Sequence, residues 1–77
     1  MKTTQELISD ELRSIRAKKN INIETVAEKC GINKDTIYRY EKNKTSMKLD
    51  TIEKLLKFYD IDFSIFFTNI YANKHNS

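Results

Sequence analysis

The sequence contains no proline and no tryptophan, and only one glycine, Gly31, one cysteine, Cys30, and one histidine, His75, among its 77 residues. Without proline nothing interrupts a helix from within, and stretches alternating at the strand period of two are missing as well. An all-helical domain is therefore the expected class. A single cysteine excludes an internal disulfide; Cys30, beside Gly31 on the apolar side of a helix, reads as a small buried hydrophobe. There is no metal-ligand cluster, no glycine-rich phosphate loop and no paired carboxylate site, and Cys30 and His75 stand far apart with no third partner. An enzyme is not expected, nor a metal, a cofactor or a small-molecule substrate. No signal-peptide pattern and no bilayer-spanning apolar run occur, so the expectation is a cytoplasmic protein with no membrane partner. A chain of this length makes one domain with a small core and no room for a deep cleft.

What is present is unevenly placed. The formal net charge is only +3, from 14 basic and 11 acidic side chains. Between positions 29 and 48, however, Lys29, Lys34, Arg39, Lys42, Lys44 and Lys48 face only Asp35 and Glu41. The remainder, eight basic against nine acidic, is close to neutral. A basic excess gathered in one segment either forms a solvated face or meets a polyanion.

That segment begins inside the most informative stretch, IETVAEKCGINKDTIYRYEKN, from Ile23 to Asn43. Asn22 suits an N-cap, Gly31 ends a helix by tolerating positive φ, and Asn33 caps a second helix through about Lys42. Val26, Ala27 and Cys30, Ile32 in the turn, and Ile37 and Tyr40 share an apolar side. Ala27 provides the small side chain that two helices crossing steeply near a turn require. These spacings describe a helix-turn-helix.

The flanks continue the helical reading. Thr3 with Glu6 has the capping-box spacing and opens a helix to about Lys19, with Ile8, Leu12 and Ile15 on one stripe and Asn20 as a left-handed cap. Arg16, at the edge of that stripe, is either a surface residue or half of a partly buried pair with Glu41. Asn43 takes the left-handed position after the third helix. Ser46 is expected to cap a fourth helix that reaches about Tyr59 and buries Leu49, Ile52, Leu55, Leu56 and Tyr59. Asp62 caps a last helix from Phe63 to about Ile70, in which Phe63 and Phe66 close the core. The domain is read as residues 1–71, with residues 72–77 as a disordered polar tail.

Taken together, the chain resembles the XRE/Cro-type helix-turn-helix domains of the lambda-repressor-like fold, over about Leu7 to Phe67. The resemblance is carried by Leu12, Ile15 and Arg16 in ELRSIRAKK, by Val26, Ala27 and Gly31 in ETVAEKCGI, and by Ile37, Tyr40 and Glu41 in TIYRYEKN. Leu49, Ile52 and Leu55 carry it in the fourth helix, and Ile61, Phe63 and Phe66 in the closing segment. It implies a five-helix all-α domain with the motif at helices two and three, and a structural ion pair between Arg16 and Glu41. The chain departs from the family pattern at Ile23, where a glutamine is usual, at Asn43, usually glycine, and at Met47, usually proline.

The function this resemblance implies is sequence-specific binding of double-stranded DNA by a transcriptional regulator, a repressor acting by operator occupancy, with residues 34–42 in the major groove. Lys34, Asp35, Thr36, Tyr38 and Arg39 point outward where bases are read. Arg39 leads, because its fork matches guanine O6 and N7. Phosphate grip is assigned to Asn22, Lys42, Asn43, Lys44, Thr45 and Lys48, with backbone amides at the starts of helices two and four. One motif reads few base pairs, so a homodimer on a palindromic operator is expected, its interface formed by the apolar surplus Phe67, Ile70 and Tyr71. The competing expectation is a protein-interaction module, an antitoxin or adaptor, acting through the aromatic C-terminal helix.

Overall fold

In a computed structural model the backbone of residues 2–76 and the side chains of residues 2–72 are described. Five helices follow one another: α1 (Thr4–Lys18), α2 (Ile23–Cys30), α3 (Lys34–Glu41), α4 (Leu49–Tyr59) and α5 (Phe63–Asn76). Four of the five starts have a side-chain cap. Thr3 accepts from the Glu6 amide while Glu6 reaches back to the Thr3 amide, closing a capping box. Asn22 accepts from the Thr25 amide at 2.8 Å and Asn33 from the Asp35 amide at 2.8 Å. Asp62 accepts from the amides of Ser64 and Ile65. The hydrogen bond from the Ser64 hydroxyl, and after it those from the two amides, hold the Asp62 carboxyl below its ordinary pKa. The ends are equally specific. Asn20, Gly31, Asn43 and Asp60 all have φ between 55° and 66°. A short polar side chain or none tolerates that left-handed turn.

The helices close on one core. Ile8, Leu12 and Ile15 of α1 meet Val26 and Cys30 of α2, Ile37 of α3, Ile52, Leu55, Leu56 and Tyr59 of α4, and Phe66 and Ile70 of α5. α1 packs on α5 and α3, and α2 on α3 and α4. Thus α3 is wedged against two helices and shows its opposite side to solvent.

Four expectations need correction. Ser46 does not cap α4: the helix starts later, its N-cap is Lys48, and no side chain bonds its first amides. Leu49 is 62% exposed, while Met47 is buried in the core. Leu49 has the helical spacing of Ile52, Leu56 and Tyr59, but as the first residue of α4 it stands at the open end of their stripe, and Met47, on the extended approach to the helix, is buried instead. In α5 the roles of two residues are exchanged: Phe63 is 38% exposed and Ile70 is buried. Ile70 lies one turn beyond the fully buried Phe66 and shares its stripe. Finally, α5 passes the expected stop at Ile70 and continues to Asn76, through most of the segment 72–77 read as a tail, whose last residue, Ser77, lies outside the described residues. No glycine or proline stands there to end it.

Candidate nucleic-acid interface

The exposed side of α3 carries Lys34, Asp35, Tyr38 and Arg39, with Thr36 half-buried beside them. Ile37 is buried and Tyr40 packs against the core, so the inward stripe leaves these five on the outer and lateral faces. Asp35, Thr36, Tyr38 and Arg39 line one shallow depression, and Lys44 from the following loop completes it. The ammonium of Lys42 lies 5.6 Å from the centre of the Tyr38 ring, a cation–π contact at the edge of the same surface. Lys34 faces Glu24 of α2 at 4.0 Å, with both side chains exposed. At that distance and exposure Glu24 neutralises little of the Lys34 charge toward a polyanion.

Among the residues assigned to phosphate, Lys42, Asn43, Lys44, Thr45 and Lys48 are all exposed and flank the C-terminal end of α3. The loop between α3 and α4 is not slack. Asn43 takes its left-handed φ of 57° and the Lys44 amide donates back to the Arg39 carbonyl at 2.9 Å. Asn22 is exposed at the start of α2, its side-chain oxygen already engaged by the Thr25 amide. The first amides of α4 have no side-chain cap.

Behind this surface lies the polar joint that fixes α3 to α1. The Arg16 guanidinium donates from Nε to Glu41 Oε2 at 2.7 Å and from Nη2 to Oε1 at 2.9 Å, a two-pronged pair. Its Nη1 donates to the Ile21 carbonyl at 2.9 Å. Glu41 is buried, and its hydrogen bonds raise the Arg16 pKa above the ordinary arginine value. Sequence reasoning missed two further anchors of the same joint. Arg13 donates to the Glu41 carbonyl at 3.0 Å, and Gln5 accepts from the Met47 amide at 3.3 Å. Nothing in the sequence signals these partners; in the structure Gln5 and Arg13 share the α1 face of Ser9, a side chain as buried as Phe66.

Tyr59 of α4 borders this joint. Burial and, after it, the negative charge of Glu41 push its phenol up to about 12. In the unfolded chain the phenol ionises near 10; in the folded chain it keeps its proton to about 12. Stability is therefore undiminished below pH 10 and lost as pH rises from 10 toward 12, by about 2–3 kcal/mol in all. Urea melts at pH 9 and pH 11.5 should show this loss in the parent chain in excess of a Tyr59→Phe variant; equal slopes for the two would contradict it.

The residues assigned to an interface between copies do not form one patch. Ile70 is buried, Phe67 is half-buried, and Tyr71 is 64% exposed. Phe63 stacks on Phe67 with ring centres 4.8 Å apart. Phe63, Phe67 and Tyr71 follow at four-residue spacing and make an aromatic stripe along α5. Among the described residues no group of three or more His, Cys, Asp or Glu could hold a metal, and no helix is long and apolar enough to cross a membrane.

Known proteins share this arrangement. A family model described as Helix-turn-helix matches residues 12–66. The cryptic phage CTXphi transcriptional repressor RstR of Vibrio cholerae is 42% identical over 55 residues, 71% of this chain and 50% of the relative. The chain thus spans about half the length of that relative. In structure, a point mutant of the restriction-modification controller protein C.Esp1396I superposes with a TM-score of 0.90 at 19% identity, over 97% of both chains. The same controller protein, as a tetramer in complex with its natural 35 base-pair operator, superposes at 0.84 and 19% identity, over 94% of this chain and 95% of that one. At such identities the likeness is one of fold: a five-helix, lambda-repressor-like domain.

Proposed function

The chain belongs to the helix-turn-helix family, and from that premise we propose that it is a sequence-specific double-stranded DNA-binding regulator, a cytoplasmic, non-catalytic repressor acting by operator occupancy. The observation that carries this reading is the single depression in which Asp35, Thr36, Tyr38 and Arg39 of α3 meet Lys44 of the next loop. Candidate base-reading and phosphate-holding groups lie there side by side on one solvent face. Such a face fits a major groove, with α3 inserted and the loop over the backbone. Arg39 reads guanine through its two-pronged fork, and Asp35 accepts from a cytosine amino group. Lys34 and Thr36 complete the reading edge, and Tyr38, steadied by Lys42, meets sugar or phosphate. Lys42, Asn43, Lys44, Thr45 and Lys48, with Asn22 and the uncapped amides of α4, hold the backbone. The relative named as a repressor supports the sign of regulation.

Selection from a random duplex pool, followed by a salt titration of the selected site, tests this. Arg39→Ala should weaken the selected site by about 1–3 kcal/mol and relax preference at one position. Lys44→Ala should weaken all sequences alike and reduce the salt slope by about one. If neither change matters, or no duplex is bound at low salt, the reading fails.

The partner we propose on the protein side is a second copy, giving a homodimer on a palindromic operator. α5 carries no charged residue from Phe63 to Ala72, in a chain that is 32% charged. Its aromatic stripe Phe63–Phe67–Tyr71 is the face we assign to the two-fold contact, with Phe63 in the place first given to Ile70. In sedimentation, Tyr71→Asp should yield a folded monomer, whereas Ile65→Asp, 58% exposed on the other side of α5, should leave the dimer intact. A dimer that survives Tyr71→Asp would remove the stripe from the interface.

A further inference from the structure

The loop after α3 carries most of the phosphate-holding groups of the proposed site, and it is tied down from α1. Two α1 side chains hold its ends. Arg13 Nη1 donates to the carbonyl of Glu41, the last residue of α3, at 3.0 Å. Gln5 Oε1 accepts from the amide of Met47, just before α4, at 3.3 Å. The two anchors are eight residues apart, roughly 12 Å along the α1 axis, and between them they bracket the whole loop. Arg13 is itself held: its Nη2 donates to Asp10 Oδ1 at 3.0 Å, and Lys2 pairs with the other oxygen of Asp10. The Met47 side chain is buried, which fixes the far end from below. Arg16 and Glu41 fix the side chain of the residue whose carbonyl Arg13 takes.

We propose that Gln5 and Arg13 are positioning residues for the DNA backbone grip: they hold the Glu41–Met47 segment from α1, so that Lys42, Asn43, Lys44 and Thr45 are already arranged before DNA arrives. This rests on the DNA-binding reading above. A loop ordered in advance loses less freedom on binding, so removing an anchor weakens affinity without removing a contact. Arg13 does this through its fork. The two nitrogens reach Asp10 and the Glu41 carbonyl together, which a lysine at the same place cannot do. Gln5 does it through one acceptor oxygen, which a methionine of similar length lacks.

Arg13→Lys and Gln5→Met test the idea while keeping charge at one position and size at the other. Each should weaken the selected duplex about three- to tenfold, with the salt slope unchanged, in contrast to Lys44→Ala. Arg13→Lys combined with Lys44→Ala should lose less than the product of the two single losses, because the anchor acts through the loop. In the free protein, hydrogen exchange should quicken at the Met47 amide in Gln5→Met and at the Lys44 amide in Arg13→Lys. The Ile52 and Leu56 amides of α4 serve as the internal reference for global stability. Parent-like affinity in both variants, or loop amides that exchange no faster than in the parent relative to α4, overturns the positioning role while leaving the DNA reading intact. A parent chain that binds no duplex overturns the DNA reading and this role with it.

Discussion

Glu41→Ala should lower the unfolding free energy by about 3–5 kcal/mol, the cost of stranding one member of a buried ion pair. Glu41 is almost wholly enclosed, and Arg16 keeps only 21% of its side chain exposed. Without the carboxylate, Arg16 retains one recorded acceptor, the Ile21 carbonyl. The residual exposure places the expected loss toward the lower end of the range. Removing both charges tests the cause: Arg16→Met with Glu41→Leu should recover most of the loss, since an apolar pair of similar volume replaces the ionic one. Urea denaturation of the two variants beside the parent decides it. A single variant that loses less than about 1 kcal/mol would mean the pair behaves as an exposed one. The double variant should also bind duplex less well than its stability suggests, because the end of α3 loses its two-pronged tether to α1 and keeps the Arg13 bond to its last carbonyl.

Phe66→Ala is the second large effect, expected at about 3–5 kcal/mol. Phe66 is fully buried and packs edge-on against Phe67 with ring centres 5.1 Å apart. It fills the space where α5 lies on α1, so its removal leaves a cavity between packed helices that cannot fully collapse. A domain of this size holds roughly 4–12 kcal/mol in total, at about 0.05–0.15 kcal/mol per residue. Calorimetry should therefore show a large drop in the melting temperature, with a substantial unfolded fraction at 37 °C if the parent lies low in that range. Phe63→Ala, at a partly exposed ring, should cost less than half as much; equal losses would contradict the assignment of Phe66 as the core residue.

Most of the fold is legible from the chain because its signals are local. Thr3, Asn22, Asn33 and Asp62 accept from amides two or three residues ahead. Gly31, Asn20 and Asn43 take the left-handed turns that their side chains permit. The misreadings lie where a neighbouring element decides. Ser46 has the chemistry of a cap, but the burial of Met47 and the bond from its amide to Gln5 carry the chain past it before α4 begins. Leu49 and Phe63 have the period of their stripes, but they occupy the first turns of their helices and stay open to solvent there. The site divides in the same way. That Lys34, Asp35, Tyr38 and Arg39 lie outward follows from the helical period alone. That Gln5 and Arg13 reach the loop does not, since a hydrogen bond from a side chain to a distant carbonyl or amide leaves no trace in spacing.

The packing of α1 on α5 also sets the order of events during synthesis. α1 can meet α3 early, but its cover is complete only once Phe66 has been added, after the whole stretch from Lys19 to Asp62. At roughly 5–20 residues per second that stretch takes seconds to translate. A small helical bundle closes in microseconds to milliseconds. The ribosome, and not the folding barrier, therefore decides when the cover of α1 is complete. Until then the stripe of Ile8, Leu12 and Ile15 lies partly open on the nascent chain, a natural target for a chaperone.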